Sequence, residues 1–185
     1  VHDGSSPTQV TGSEVSVNEW LHATLVFDGS SLILYEDGGQ VGSVNAPQPQ
    51  SSTDALQVGR YGTGNDYFEG TISDVRVYNR VLSSSEIQTL YNWGSQEVAS
   101  PPGNNQGGVS YYSFNSSNAD DQWGSNDGTV NGATYQSNGG PKDDGAYDFN
   151  GTSDTIDDTD PSLPVGTSAR TVSCWVNPDT ADAQM

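Results

Sequence analysis

The feature that most constrains this chain is its rhythm: short runs of alternating apolar residues, cut every few positions by Gly, Asn, Asp and Ser. In Leu21–Phe27, residues 21, 23, 25 and 27 alternate with His22, Thr24 and Val26, the period of a β-strand. Asp28-Gly29 is a turn signal. Residues 32–35, the turn Glu36-Asp37-Gly38-Gly39 and residues 40–44 extend this into a three-strand meander. Residues 56–60 and 71–78 read as further strands. In the latter the alternation puts Ile72, Asp74, Arg76 and Tyr78 on one face and Val75 and Val77 on the other. Residues 109–114, 146–149 and 171–176 continue the pattern. Many short strands joined by turns imply an all-β, antiparallel sandwich. One helix interrupts them. Ser83 and Glu86 form a capping box, and Leu82, Ile87, Leu90 and Tyr91 supply an apolar stripe of about two turns, ending near Asn92-Trp93-Gly94.

Charge narrows the partners. The chain has 185 residues, 24 acidic against 5 basic, for a formal charge of −19, and Lys142 is its sole lysine. An acidic chain poor in apolar residues can be disordered, but disorder does not explain the alternating aromatic and β-branched runs. The expectation is a folded domain with an anionic surface. Such a surface repels itself in dilute salt and is screened in concentrated salt, where the Debye length falls to about 3 Å. A high-salt habitat follows. Phosphate recognition needs basic patches, so nucleic acid and anionic membrane surfaces are excluded as partners. No apolar run reaches the ~18 residues of a membrane span. Cys174 is the one cysteine, in an apolar strand pattern, and reads as an inert buried thiol.

Organisation is unusual. Residues 95–108, with Pro101-Pro102-Gly103 and Asn-rich steps, read as a linker between 1–94 and 109–185. In the first part, Asn18-Glu19-Trp20-Leu21-His22-Ala23, Leu34-Tyr35-Glu36-Asp37-Gly38, Val58-Gly59-Arg60 and the run from Phe68 to Arg80 occur in order, followed by the helix. This series resembles the middle and C-terminal strands of laminin-G-like, concanavalin A-type jelly-roll modules. The second part, with Tyr111-Tyr112-Ser113-Phe114, the loop 124–133 and Ala146-Tyr147-Asp148-Phe149-Asn150-Gly151, resembles the beginning of such a module. The order is thus the back of one module, a linker, then the front of another. Two accounts fit: a window across tandem modules, or two halves that pair as one permuted sandwich, within the chain or between neighbouring copies. The composite sandwich is the expectation taken forward.

The resemblance and the residues together nominate sites. Asp120, Asp121, Asn126 and Asp127 put hard oxygen donors on a Gly-rich loop, which suits Ca²⁺, and the family often carries calcium at such a loop. The alternative is a set of solvated surface acids with Asn126-Asp127-Gly128 turning the chain. A weaker acidic cluster is Asp154, Asp157, Asp158 and Asp160. Asp74 and Arg76 read as an ion pair. Sandwich lectins grip sugars by stacking pyranose rings on exposed aromatics, and Tyr61, Tyr67 and Trp123 lie in loops suited to that. Trp20 and Trp175 sit in strand patterns and are expected in the core. Asn115-Ser116-Ser117 and Asn150-Gly151-Thr152 are N-glycosylation sequons.

Catalysis finds no support in the sequence. His2 and His22 are the two histidines, and neither lies near a nucleophile motif. The Glu-x-Asp-x-Glu string of the related glucanases does not occur. The expected function is a secreted or cell-surface lectin-like adhesion module that recognises glycans or cell-surface proteins, with calcium assistance. The rivals are a structural repeat of a surface fibre or giant adhesin, built from neighbouring copies, and a non-catalytic domain of a secreted hydrolase.

Overall fold

The computed structural model describes residues 8–46, 56–61, 64–95, 106–158 and 163–180. Among the described residues, thirteen strands and one helix are arranged around one large sheet. Its path runs from β10 (Thr134–Gln136) through β11 (Ala146–Asn150), β7 (Glu69–Tyr78), β13 (Arg170–Pro178), β1 (Leu21–Phe27) and β2 (Ser31–Glu36) to β3 (Gly39–Asn45), with β8 (Gly108–Tyr112) also paired to β7. A three-stranded sheet, β4 (Leu56–Val58), β12 (Thr155–Asp158) and β9 (Thr129–Asn131), lies over one face. A hairpin of β5 (Arg60–Tyr61) and β6 (Asp66–Tyr67) completes the strands. All pairings are antiparallel.

Strands from both parts of the sequence interleave. β13 lies between β1 and β7, and β12 lies between β4 and β9. Each part therefore closes edges that the other leaves open. The proposed linker lies largely outside the described residues.

The long strand β7 organises the molecule. Its first half pairs with β11 and its second half with β8. Between them Asp74 takes a positive φ of 57°, where the β7–β13 register shifts. Two residues of β7 then face one of β13, a bulge that reverses the alternation. Ile72 consequently packs with Val75 and Val176 in the core between the sheets, not with Asp74, Arg76 and Tyr78 as simple alternation predicts.

That core is apolar and aromatic: Phe68, Tyr112, Phe114, Tyr147, Phe149 and Ile156 meet there. Gly59 sits against it with φ +87°, and a Cβ at that position would strike the Phe149 ring. Only glycine combines that backbone with that approach.

The opposite face carries the helix α1 (Ser84–Ser95). It runs three turns rather than two, because Tyr91 and Trp93 still find packing partners at its end: Tyr91 stacks on Trp175 at 5.7 Å. Its start matches the sequence reading. The Ser83 amide donates to Glu86 Oε2 at 2.8 Å and the Glu86 amide to Ser83 Oγ at 3.3 Å. Arg80 adds two bonds to the Glu86 carboxylate, at 3.0 and 2.7 Å, and holds it down to about 2. Ile87 and Leu90 fill the groove against Val26, Tyr35 and Tyr78.

Candidate functional site

A shallow cleft of about 350 Å³ opens where β1 begins and the β2–β3 hairpin turns. Its apolar surface comes from Trp20, Leu21, Val15 and Val41, and its carboxylates from Glu14, Glu19, Glu36 and Asp37. Among the described residues no basic side chain lines it.

Local structure builds this cleft. The turn Asp37-Gly38 has both residues at positive φ, 48° and 79°, the backbone of a tight hairpin. Asp37 also clamps β1: its amide donates to the His22 carbonyl at 2.9 Å, and its Oδ1 accepts the His22 amide at 3.0 Å. The β2–β3 register shifts between Leu34, opposite Gly42, and Tyr35, opposite Gln40. Val41 is the extra residue, and the bulge leaves it 42% exposed beside the cleft. Glu36 is buried, and its two oxygens accept the Ser13 amide at 3.0 and 3.2 Å. The 13–16 segment is pinned there as the opposite wall. Trp20 is half-buried at the mouth rather than in the core, one residue before β1 starts. Trp175, by contrast, is fully packed, as its strand pattern implies.

The aromatics nominated from sequence separate. Tyr61 is 55% exposed on the β5–β6 hairpin. Tyr67, paired across that hairpin with Arg60, lies under its guanidinium, 5.1 Å from the ring centre. Trp123 is not an open platform. Its ring packs 5.3 Å from both Tyr78 and Tyr111, against the helix-side core.

The acidic loop is wired internally. Asp121 is buried; its Oδ1 accepts the amides of Tyr111 and Trp123, each at 2.9 Å, and its Oδ2 accepts the Asn126 amide at 3.3 Å. Asp127 Oδ1 accepts the Asp121 amide at 3.0 Å, and Asn126 donates to Ser110 Oγ at 2.7 Å. Exposed Asp120 accepts from Asn118 at 2.6 Å. These oxygens face backbone and side-chain donors, which is the geometry of a loop clamp. Among the described residues no group of three or more His, Cys, Asp and Glu side chains is gathered as a metal cluster. In the second cluster, Asp158 accepts the Tyr112 hydroxyl at 2.9 Å, Asp157 accepts from Gln57 and Asn131, and Asp154 caps a turn through Asn150. Asp160 lies outside the described residues.

Beneath α1 is a group the sequence only half reveals. Asp74 and Arg76 form an ion pair at 2.8 Å, their side chains 6% and 1% exposed. The Arg76 guanidinium lies between the rings of Trp93 and Tyr111, 4.4 Å from each centre. Lys142 reaches the Trp93 ring at 3.5 Å. Burial pushes the Asp74 carboxyl up against the opposing pull of Arg76, and burial likewise raises Asp144. Neither carboxylate lines the cleft. The pattern is general: Arg60 lies over Tyr67, Arg80 over Tyr78 and Arg170 over Phe27. All 5 basic side chains of the chain are thus committed to rings.

A large antiparallel sheet, a smaller covering sheet and a single short helix define a concanavalin A-like β-sandwich. Residues 1–88 match the model of the laminin G-type family described as the concanavalin A-like lectin/glucanases superfamily. That segment carries β1 to β7 and the start of α1. No solved structure matches the chain. A domain of this kind is in general a carbohydrate- or ligand-binding module. Among the described residues no helix is long and apolar enough to cross a membrane.

Proposed function

We propose that this chain is a non-catalytic, extracellular binding module that takes a hydroxyl-rich ligand, a glycan, in the Trp20 cleft. One observation carries the reading. Trp20 presents a partly open ring beside Glu14, Glu19, Glu36 and Asp37, and among the described residues no cation lines the cleft with those acids. A flat apolar ring beside hydrogen-bond acceptors matches a sugar, which has an apolar face and a rim of hydroxyl donors. Tyr61 is the second aromatic free to add contact. The surface is anionic because 24 acidic side chains meet only 5 basic ones, which supports a protein suited to concentrated salt. The fibre reading loses its main motive, since the strands complete one another within one chain.

The test is a glycan array and calorimetry in dilute and molar salt, with and without a chelator. Trp20→Ala is expected to weaken binding about tenfold or more, Tyr61→Ala less, and chelation to leave it unchanged. Binding that survives Trp20→Ala intact would remove the cleft from the reading.

A further inference from the structure

The two sequons are identical in sequence logic and opposite in structure. Asn150 closes the β11–β12 turn. Its Nδ2 donates to Ser153 Oγ at 3.1 Å and Asp154 Oδ1 at 2.9 Å. Its Oδ1 accepts the amides of Thr152 and Ser153, each at 2.9 Å. The Thr152 hydroxyl, the group a transferase reads two residues on, is itself bound to Asn150 Oδ1 at 3.0 Å. Asp154 is buried and also accepts the Asn150 amide at 3.1 Å, so the turn is anchored from beneath. Gly132 passes so close that a Cβ there would strike Asp154 Oδ1.

Both asparagines are exposed, and Asn115 differs in its bonds: it follows β8 in a stretch where residues 115–118 are all exposed. Its side chain uses only its oxygen, which accepts the Gly145 amide at 3.4 Å. Among the described residues neither its Nδ2 nor the Ser117 hydroxyl has a hydrogen-bond partner. Both groups that an oligosaccharyltransferase must take into its own site are free, and no strand pairing has to break to release them.

We propose that Asn115 is the N-glycan acceptor of the folded protein and that Asn150 is closed to modification by its own turn. The glycan comes from a lipid-phosphate-linked oligosaccharide. Asn115 Nδ2 bonds to the anomeric carbon, the bond from that carbon to the lipid phosphate oxygen breaks, the lipid phosphate leaves with the electron pair, and Nδ2 loses one proton. Each net hydrogen bond that must open at Asn150 lowers its accessible population by about fivefold. Two bonds to Nδ2 therefore favour Asn115 by about twenty-five-fold.

The experiment gives the purified, folded chain to an active membrane oligosaccharyltransferase with its lipid-linked donor. Intact mass and glycopeptide mapping are the readouts. A single adduct is expected at Asn115, lost in Asn115→Gln and retained in Asn150→Gln. Asn150 occupied as fully as Asn115, or Asn115 left bare while the same enzyme modifies a control acceptor, would overturn the proposal.

Discussion

The two faces of the large sheet come from the same strands and are held by different physics. On the face covered by β4, β12 and β9, the side chains of Ile72, Val75, Phe114, Phe149 and Val176 bury purely apolar surface. On the face under α1, a register row runs Thr24, Ser173, Arg76 and Tyr111 across β1, β13, β7 and β8. Thr24, Ser173 and Arg76 in that row are at most 1% exposed. An apolar core tolerates any well-shaped neighbour. A buried ion pair does not tolerate the loss of one partner, because the remaining charge has no water to turn to. The apolar face therefore supplies most of the net stability, and the polar face fixes which residues must meet.

The largest expected effects contrast the two directly. Phe149→Ala leaves a cavity in the apolar core and is expected to cost about 3–5 kcal/mol. Arg76→Met is expected to cost a similar ~3–5 kcal/mol by stranding Asp74. They differ in rescue. Asp74→Asn together with Arg76→Met should recover most of the loss, since Asn tolerates the positive φ and no charge remains. No single change elsewhere refills the Phe149 cavity. Urea unfolding of the single and double variants checks both; a double variant as unstable as Arg76→Met would mean that packing of the Arg76 stem, not charge, matters.

A smaller effect depends on pH. Burial, with Arg76 nearby, holds the His22 imidazole down to about 3, against about 6.5 in the unfolded chain. The folded state keeps His22 neutral where the unfolded state takes up a proton. The contribution is complete above about pH 6.5 and is lost as pH falls towards 3, at up to about 1.4 kcal/mol per pH unit. His22→Gln should flatten the stability profile between those limits relative to the wild type. Parallel profiles would show that the imidazole is not kept neutral.

The smallest effect tests the edge of the polar face. Lys142 is half-buried over Trp93, and Lys142→Met is expected to cost about 0.5–1 kcal/mol. Thermal midpoints in low and molar salt measure it. A loss as large as that of Arg76→Met would place Lys142 inside the buried charge network rather than at its rim.

Much of this was readable before folding, and the reasons are local. Period-two runs marked β1, β2, β3, β7 and β13, and Ser83 with Glu86 marked the helix start, since both signals act between near neighbours. The strands β9, β10 and β12 were not marked, because three or four residues carry too few alternations. Asp157 and Asp158 belong to β12 yet read as part of an acidic cluster. Trp20 read as core, because nothing local says that the 13–16 segment is pinned by Glu36 a short way off. Val41 gave no sign of the bulge that exposes it. The internal bonds of the acidic loop were not legible either, because a list of oxygens does not say which ones already accept amides.

By itself the sequence determined the class: antiparallel strands, one capped helix and an anionic surface, all consequences of spacing and composition. Tertiary structure decided the rest. It chose which residues face each other at Asp74, because a single bulge reverses every side chain beyond it. It also decided which polar groups stay available, because a donor or acceptor is free only if no distant part of the chain has already bound it.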